Sequence, residues 1–246
     1  MSENILKAEV ILPEIESWLR NKLEISSSKG CVLGLSGGID SAVVAVILKR
    51  VCQDNMLAVM MPCHSIPQDM SDAKLLIETF NITSAEVDLS STYDALTMET
   101  EKAGTPLSSK AMANVKPRLR MTTLYMLAQS CNYLVCGTSN LVETKLGYFT
   151  KYGDSGADLL PIGDLLKGEV RDMARYLDIP EHIINKSPSA GLWEGQTDEK
   201  EMGMTYEVID RYFSGQNVLP EISEKILNMI GSSEHKRKMP PVCTLR

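Results

Sequence analysis

The apolar positions of this chain change period along its length, and the changes mark out its elements. Between residues 3 and 27, Ile11, Ile15, Trp18 and Leu23 recur at near-helical spacing, which predicts an amphipathic helix. "CVLGL" (31–35) is a short continuous apolar run and predicts a buried strand. The stretch from Ser41 to Cys52 mixes helix formers with Val, and its length fits a crossover helix better than a second strand. "MLAVMMP" (56–62) then predicts a strand, "DMSDAKLLIETF" (69–80) a helix and "SAEVDL" (84–89) a third short strand. Residues 108–130, "SSKAMANVKPRLRMTTLYMLAQS", continue with a long helical pattern that Pro117 is placed to kink or interrupt. "YLVCGT" (133–138) predicts strand four. The stretch 139–168, "SNLVETKLGYFTKYGDSGADLLPIGDLLKG", is rich in Gly and Pro and has little periodicity, which suggests a functional loop region. Helical patterns resume at 168–178, 198–213 and 220–231. Such β-α-β-α-β alternation predicts an α/β fold: a doubly wound parallel sheet with right-handed crossovers and helices on both faces.

Composition narrows the picture. With 246 residues, 43% of them hydrophobic and 23% charged, the chain has enough apolar material for one large core, so residues 1–246 are expected to form a single domain. A net charge of -7 argues against a general nucleic-acid or membrane-surface binder, which would carry a basic face. Anionic ligands must therefore meet locally placed cations, and the tail "SSEHKRKMPP" concentrates some of them. The longest apolar run, "AVVAVIL", is far shorter than the roughly 20 residues that span a bilayer. The charged N-terminal stretch lacks the apolar block and cleavage site of a secretory signal, so a cytoplasmic location is expected. The cysteines at 31, 52, 63, 131, 136 and 243 form no C-x-x-C pair. Cys31, Cys131 and Cys136 lie in apolar surroundings, and the set reads as reduced, small core residues.

The chemistry concentrates in "VLGLSGGIDS" (32–41), a turn that leaves a strand and opens a helix. Backbone N–H groups and a helix N-terminus converge in such a turn and make an anion site. Gly37 and Gly38 allow close backbone approach to a phosphate, and Ser36 and Ser41 add hydroxyl donors. Asp40 beside a polyphosphate makes sense with a divalent cation between them. The Walker pattern fails for want of its Lys, and "GLSGGI" does not match G-x-G-x-x-G. A plain Gly-Gly turn with an N-capping Ser or Asp is the competing account of this stretch.

"SGGIDS" resembles the pyrophosphate-binding loop of the ATP pyrophosphatases, which cleave ATP to AMP and pyrophosphate while activating an oxygen. Together with "NVKPRLRM" (114–121), "GTSNLVET" (137–144), "GYFTKYGDSGADLLPIGDLLK" (147–167), "KSPSAGLW" (186–193) and "EHKRKMP" (234–240), it makes nearly the whole chain similar to ammonia-dependent NAD synthetase. The resemblance implies an adenine nucleotide alpha hydrolase-like fold and a ligase that amidates deamido-NAD through an acyl adenylate. It implies that Gly34, Leu35, Ser36, Gly37, Gly38, Ile39, Asp40 and Ser41 bind ATP with Thr138, Lys167 and Ser189. It further implies that Asp40 and Glu143 hold Mg2+, and that Asp40, Glu143 and Lys167 form the catalytic set. Arg118, Lys151, Asp158, His235 and Lys236 would bind deamido-NAD across a homodimer interface. Ser189 stands where many relatives have Thr, Pro117 replaces a more usual Ala, and "PCHSIPQD" (62–69) lacks an Arg often found before its Pro. Ammonia rather than glutamine is the expected nitrogen donor, because the synthetase pattern starts within about thirty residues of the first Met and leaves no length for an amidotransferase domain. An RNA-modifying member of the loop group and a non-catalytic ATP sensor are the alternatives. Tyr148 and Phe149 read as packing residues.

Overall fold

A computed structural model of the chain describes residues 6–188 and 197–245. Its centre is a parallel sheet of β1 (Gly30–Gly34), β2 (Met56–Met60), β3 (Ser84–Glu86) and β4 (Tyr133–Cys136), in the order β3-β2-β1-β4. β1 sits between β2 and β4, with Leu33 opposite Ala58 on one side and Cys136 on the other. Side chains alternate across the pleat as strand geometry requires. Cys31, Leu33, Met56, Ala58 and Met60 join one core, while Val32, Val59 and Val135 join another on the opposite face.

Helices cover both faces. The first core holds α1 (Ala8–Ser26), α2 (Ile39–Cys52), α3 (Pro67–Phe80), α8 (Lys167–Tyr176) and α9 (Glu181–Ile184). α2 is buried along most of its length, and Val43, Val44, Ile47 and Leu48 are each fully buried. Each such side chain contributes about 1.5–3 kcal/mol relative to exposure. The opposite face carries α4 (Ser90–Glu101) and α6 (Val115–Cys131), with Leu124 and Ala128 of α6 against the strands, and α5 (Ser109–Ala113) packs on α6. A third cluster joins α7 (Leu141–Leu146), α10 (Asp198–Met202), α11 (Tyr206–Phe213) and α12 (Pro220–Ser232) through Val142, Leu146, Met202, Ile209 and Ile226. α13 (Glu234–Arg237) follows.

The structure refines several expectations. The helical stretch 108–130 is two helices that meet at Asn114, and Pro117 lies in the first turn of α6, where a missing N–H costs no helical bond. The stretch 198–213 is likewise two helices, because Gly203 turns left-handed at φ 62 and ends α10. α4 and α7 form where no helix was expected. Cys31, Cys52, Cys63 and Cys136 are buried and free, but Cys131 and Cys243 are exposed, so Cys131 is not a core residue: it falls on the open side of the last turn of α6. No described helix is long and apolar enough to cross a membrane.

The winding reverses between β1 and β4, so the C-terminal ends of these two neighbours form the switch point of the sheet. Ligands of open α/β sheets bind in that position.

Candidate functional site

The turn after β1 lies at this switch point. Gly37 has φ 77, and a Cβ there would come within 2.2 Å of the Asp69 carbonyl oxygen, so only glycine fits. Ser41 Oγ donates to the Gly38 carbonyl at 2.9 Å and accepts from the Ser36 amide at 3.2 Å. The two serine hydroxyls lie 3.0 Å apart, and the Gly38 amide donates to Ser36 Oγ at 3.3 Å. These bonds curl the backbone from Ser36 to Ser41 around the N-terminus of α2, where the helix dipole adds a positive field.

Asp40, in the first turn of α2, meets two other predicted residues. The Lys167 ammonium, from the first turn of α8, pairs with Asp40 Oδ2 and lies 3.8 Å from Glu143 Oε1 on α7. The Lys167 side chain is only 1% exposed. Burial alone would lower its pKa, but the carboxylates of Asp40 and Glu143 outweigh that and hold the ammonium above its ordinary value. Glu143 shows the opposite conflict. Burial and then the facing Asp40 charge push its carboxyl up to about 8, against the pull of Lys167.

Two residues that sequence reasoning missed complete the set. Asn140 is fully buried, and its Nδ2 donates to Asp40 Oδ1 and to Glu143 Oε1, both at 3.0 Å. Its Oδ1 accepts from the Glu143 amide at 3.1 Å as the N-cap of α7. Tyr206, from the third cluster, places its ring 4.8 Å from the Lys167 ammonium and its hydroxyl 3.4 Å from Glu143 Oε1. The same hydroxyl reaches Asp198 at 3.1 Å, and Asp198 is also 3.2 Å from the Tyr148 hydroxyl. Tyr148 therefore bonds as well as packs. Burial raises the Asp198 carboxyl in spite of Lys167 nearby.

The other predicted residues divide. Thr138 stands between β4 and α7, half-buried just past the end of β4. Ser189 lies outside the described residues. Arg118, Lys151 and His235 form a chain on a separate face: the Arg118 guanidinium donates to the Lys151 carbonyl at 3.3 Å, and the Lys151 ammonium to the His235 carbonyl at 2.7 Å. Lys236 donates to the carbonyls of Gly147 and Phe149 at 2.7 and 2.8 Å, and burial lowers its pKa. Asp158 is tied elsewhere, accepting from the Tyr125 hydroxyl at 3.0 Å and the Val135 amide at 2.8 Å.

The arrangement can take a polyphosphate on the turn, with one buried cation and two carboxylates beside it. Residues 11–240 match the NAD synthase family. An NH(3)-dependent NAD(+) synthetase of Carboxydothermus hydrogenoformans is 48% identical over 93% of this chain and 95% of that protein. Among solved structures, the NMN synthetase of Francisella tularensis matches with a TM-score of 0.93 and 38% identity, over 98% of this chain and 100% of that one. The NH3-dependent NAD synthetase of Campylobacter jejuni matches with a TM-score of 0.81 and 32% identity, over 97% of this chain and 100% of that one.

Proposed function

The chain belongs to the NAD synthase family, and from that membership and its site we infer that it amidates deamido-NAD to NAD with ammonia, cleaving ATP to AMP and pyrophosphate. The observation that carries this reading is the meeting of the "SGGIDS" turn with Asp40, Glu143 and Lys167 at the end of β1. Membership of this family does not favour the RNA-modifying or sensor alternatives.

A pyridine carboxylate is a poor acyl donor until one of its oxygens becomes part of a leaving group. Its attack on the α-phosphorus of ATP forms an acyl adenylate and expels pyrophosphate onto the Ser36–Ser41 turn. Ammonia then attacks the acyl carbon, AMP leaves with the carboxylate oxygen, and the amide of NAD remains. The turn amides and the Lys167 ammonium stabilise the charge that grows on the departing pyrophosphate. Asn140 and Tyr206 hold Glu143, and Asn140 also holds Asp40, so little reorganisation is needed when that charge develops. Positioning and electrostatics carry the catalysis, with no covalent enzyme intermediate.

Asp40 and Glu143 fit Mg2+. They are hard oxygen donors from two helices, both directed at one cationic point, and a pair of carboxylates completed by substrate phosphates is the usual protein share of a magnesium site. When bound, the ion would neutralise phosphate charge. We place Thr138 and Ser189 on ATP, and Arg118, Lys151, Asp158, His235 and Lys236 on deamido-NAD. The linked Arg118–Lys151–His235 chain supports one anion-binding face. A homodimer that shapes this second site, one domain over residues 1–246 and a cytoplasmic location complete the proposal.

The test is to incubate the protein with ATP, Mg2+, deamido-NAD and either ammonium or glutamine. NAD, AMP and pyrophosphate in equal amounts from ammonium, and little from glutamine, are expected. With heavy oxygen in the deamido-NAD carboxylate, the label should enter AMP. ADP as the stoichiometric product would overturn the reading. A second reading, amidation of nicotinic acid mononucleotide, is favoured by the likeness to the Francisella NMN synthetase. A higher kcat/KM for the mononucleotide than for deamido-NAD would move the assignment to it.

A further inference from the structure

A cation that this mechanism does not use lies behind the phosphate turn. Lys186, just after α9, places its ammonium 2.7 Å from Asp69 Oδ1, 2.6 Å from Asp72 Oδ2 and 3.4 Å from the Gly37 carbonyl oxygen. Asp69 and Asp72 both stand on α3, and the Asp72 side chain is 3% exposed. Asp72 also accepts from Gln68 Nε2 at 2.8 Å and lies 3.5 Å from His182 Nε2. The turn and α3 are in backbone contact here, since the Asp69 carbonyl occupies the space of a Gly37 Cβ.

We propose that Lys186 is a positioning residue for ATP: its ammonium draws the Gly37 carbonyl toward α3 and so holds the Gly37–Gly38 peptide, with its N–H on Ser36 Oγ, in the orientation that keeps a carbonyl dipole away from the phosphates. This rests on the reading of the turn as the ATP pyrophosphate site. Two consecutive glycines can rotate the peptide between them at little steric cost. Such a rotation would turn a carbonyl dipole toward a polyanion, against the electrostatics of the site. Among the described residues, Lys186 is the cation that meets this carbonyl, and two carboxylates hold its ammonium in place. Burial alone would lower the Lys186 pKa, but Asp69 and Asp72 raise it, so it stays charged in the neutral range. Because these aspartates balance its charge, Lys186 acts through the peptide it orients and does not serve as a free phosphate ligand.

Steady-state kinetics of Lys186→Met and Lys186→Arg, with the full reaction, test this. One charge-assisted hydrogen bond is at stake, so the KM for ATP and the inhibition constant of pyrophosphate should both rise about tenfold in Lys186→Met. The KM for deamido-NAD should stay within about twofold, and Lys186→Arg should recover most of the loss. Lys186→Met also leaves Asp72 buried without its cation and should lower the melting temperature. The double variant Lys186→Met/Asp72→Asn separates the two effects: it should recover the melting temperature and keep the raised KM for ATP. An unchanged KM for ATP, an equal rise for both substrates, or recovery of the ATP KM in the double variant would overturn the proposal. Failure of the unsubstituted protein to release pyrophosphate would instead overturn the reading of the turn.

Discussion

Replacing Lys167 with Met keeps the buried stem and removes the ammonium, which leaves Asp40 and Glu143 facing each other with Asn140 as their shared donor. Breaking a buried ion pair by removing one partner costs about 3–5 kcal/mol. Glu143 relieves part of this by taking up a proton, for its carboxyl already sits high, so the lower end, about 3 kcal/mol, is the better expectation. In a chain of this size that corresponds to a fall of about 6–12 °C in melting temperature. The deficit should depend on pH with a definite sign. A carboxyl whose folded pKa lies above its unfolded value binds the proton more tightly when folded, so stability rises as pH falls from the folded pKa toward the unfolded one. Lys167 pulls the parent's Glu143 down to about 8, so without it the folded pKa lies higher still; the melting deficit of Lys167→Met should shrink as pH falls toward 8 and level off below it, where both proteins gain alike. Turnover should fall by about 10²–10³, the usual cost of one preorganised charge contact in a transition state. Thermal melts above and below pH 8 and an NAD-formation assay measure the two effects. A melting temperature within about 2 °C of the parent, or turnover within about fivefold, would refute the reasoning, since neither is compatible with losses of this size.

Asp40→Asn and Glu143→Gln should each lower turnover by about 100-fold or more, and Glu143→Gln should melt no lower than the parent because burial disfavours the charge it removes; near-normal turnover at limiting Mg2+ in either variant argues against the metal assignment. Gly37→Ala puts a Cβ 2.2 Å from the Asp69 carbonyl at φ 77, so urea unfolding should show a loss of at least about 1–2 kcal/mol together with weaker ATP binding. A parent-like urea midpoint would mean that α3 yields easily. Asp72 titrates low: burial alone would raise its pKa, but hydrogen bonds from Lys186 and Gln68 lower it further. Its ionisation thus adds stability that is full above the unfolded pKa, near 4, and is lost as pH falls through the folded value. Asp72→Asn should accordingly flatten the acid limb of the stability curve below about pH 4; an unchanged limb would remove Asp72 from the acid transition.

The sheet could be read from the chain because each strand is a short apolar run bounded by turn residues, and each alternates with a helix-length segment. What could not be read was where helices break. Gly203 ends a helix by turning left-handed, and α5 meets α6 at Asn114, whose backbone stays in the right-handed helical region, so a periodicity argument runs straight through both. α4 was missed for a related reason. Among its residues Thr97 is the one that is buried, and a helix with a small buried face has little pattern to detect.

The candidate site was legible in unequal parts. Strand, glycines and helix start made the phosphate turn readable as chemistry, since all its pieces are adjacent in sequence. Asp40 lies more than a hundred residues along the chain from both Glu143 and Lys167, and no spacing rule joins the three; only the resemblance did. Asn140 did carry a local signal, because Asn140-Leu141-Val142-Glu143 has the form of a capping box, yet the surrounding Gly and Pro content hid the short helix it opens. Tyr206 and Asp198 carried none. They reach the site because Met202, Tyr206 and Ile209 pack with Val142 and Leu146, which brings the third cluster against α7. The Tyr206 ring then lies beside the Lys167 ammonium, and the Asp198 charge raises the pKa of both Lys167 and Glu143, so the protonation of both depends in part on a helix that contributes nothing to the sheet. A residue that sets the site's electrostatics through tertiary packing alone is invisible to motif and period alike.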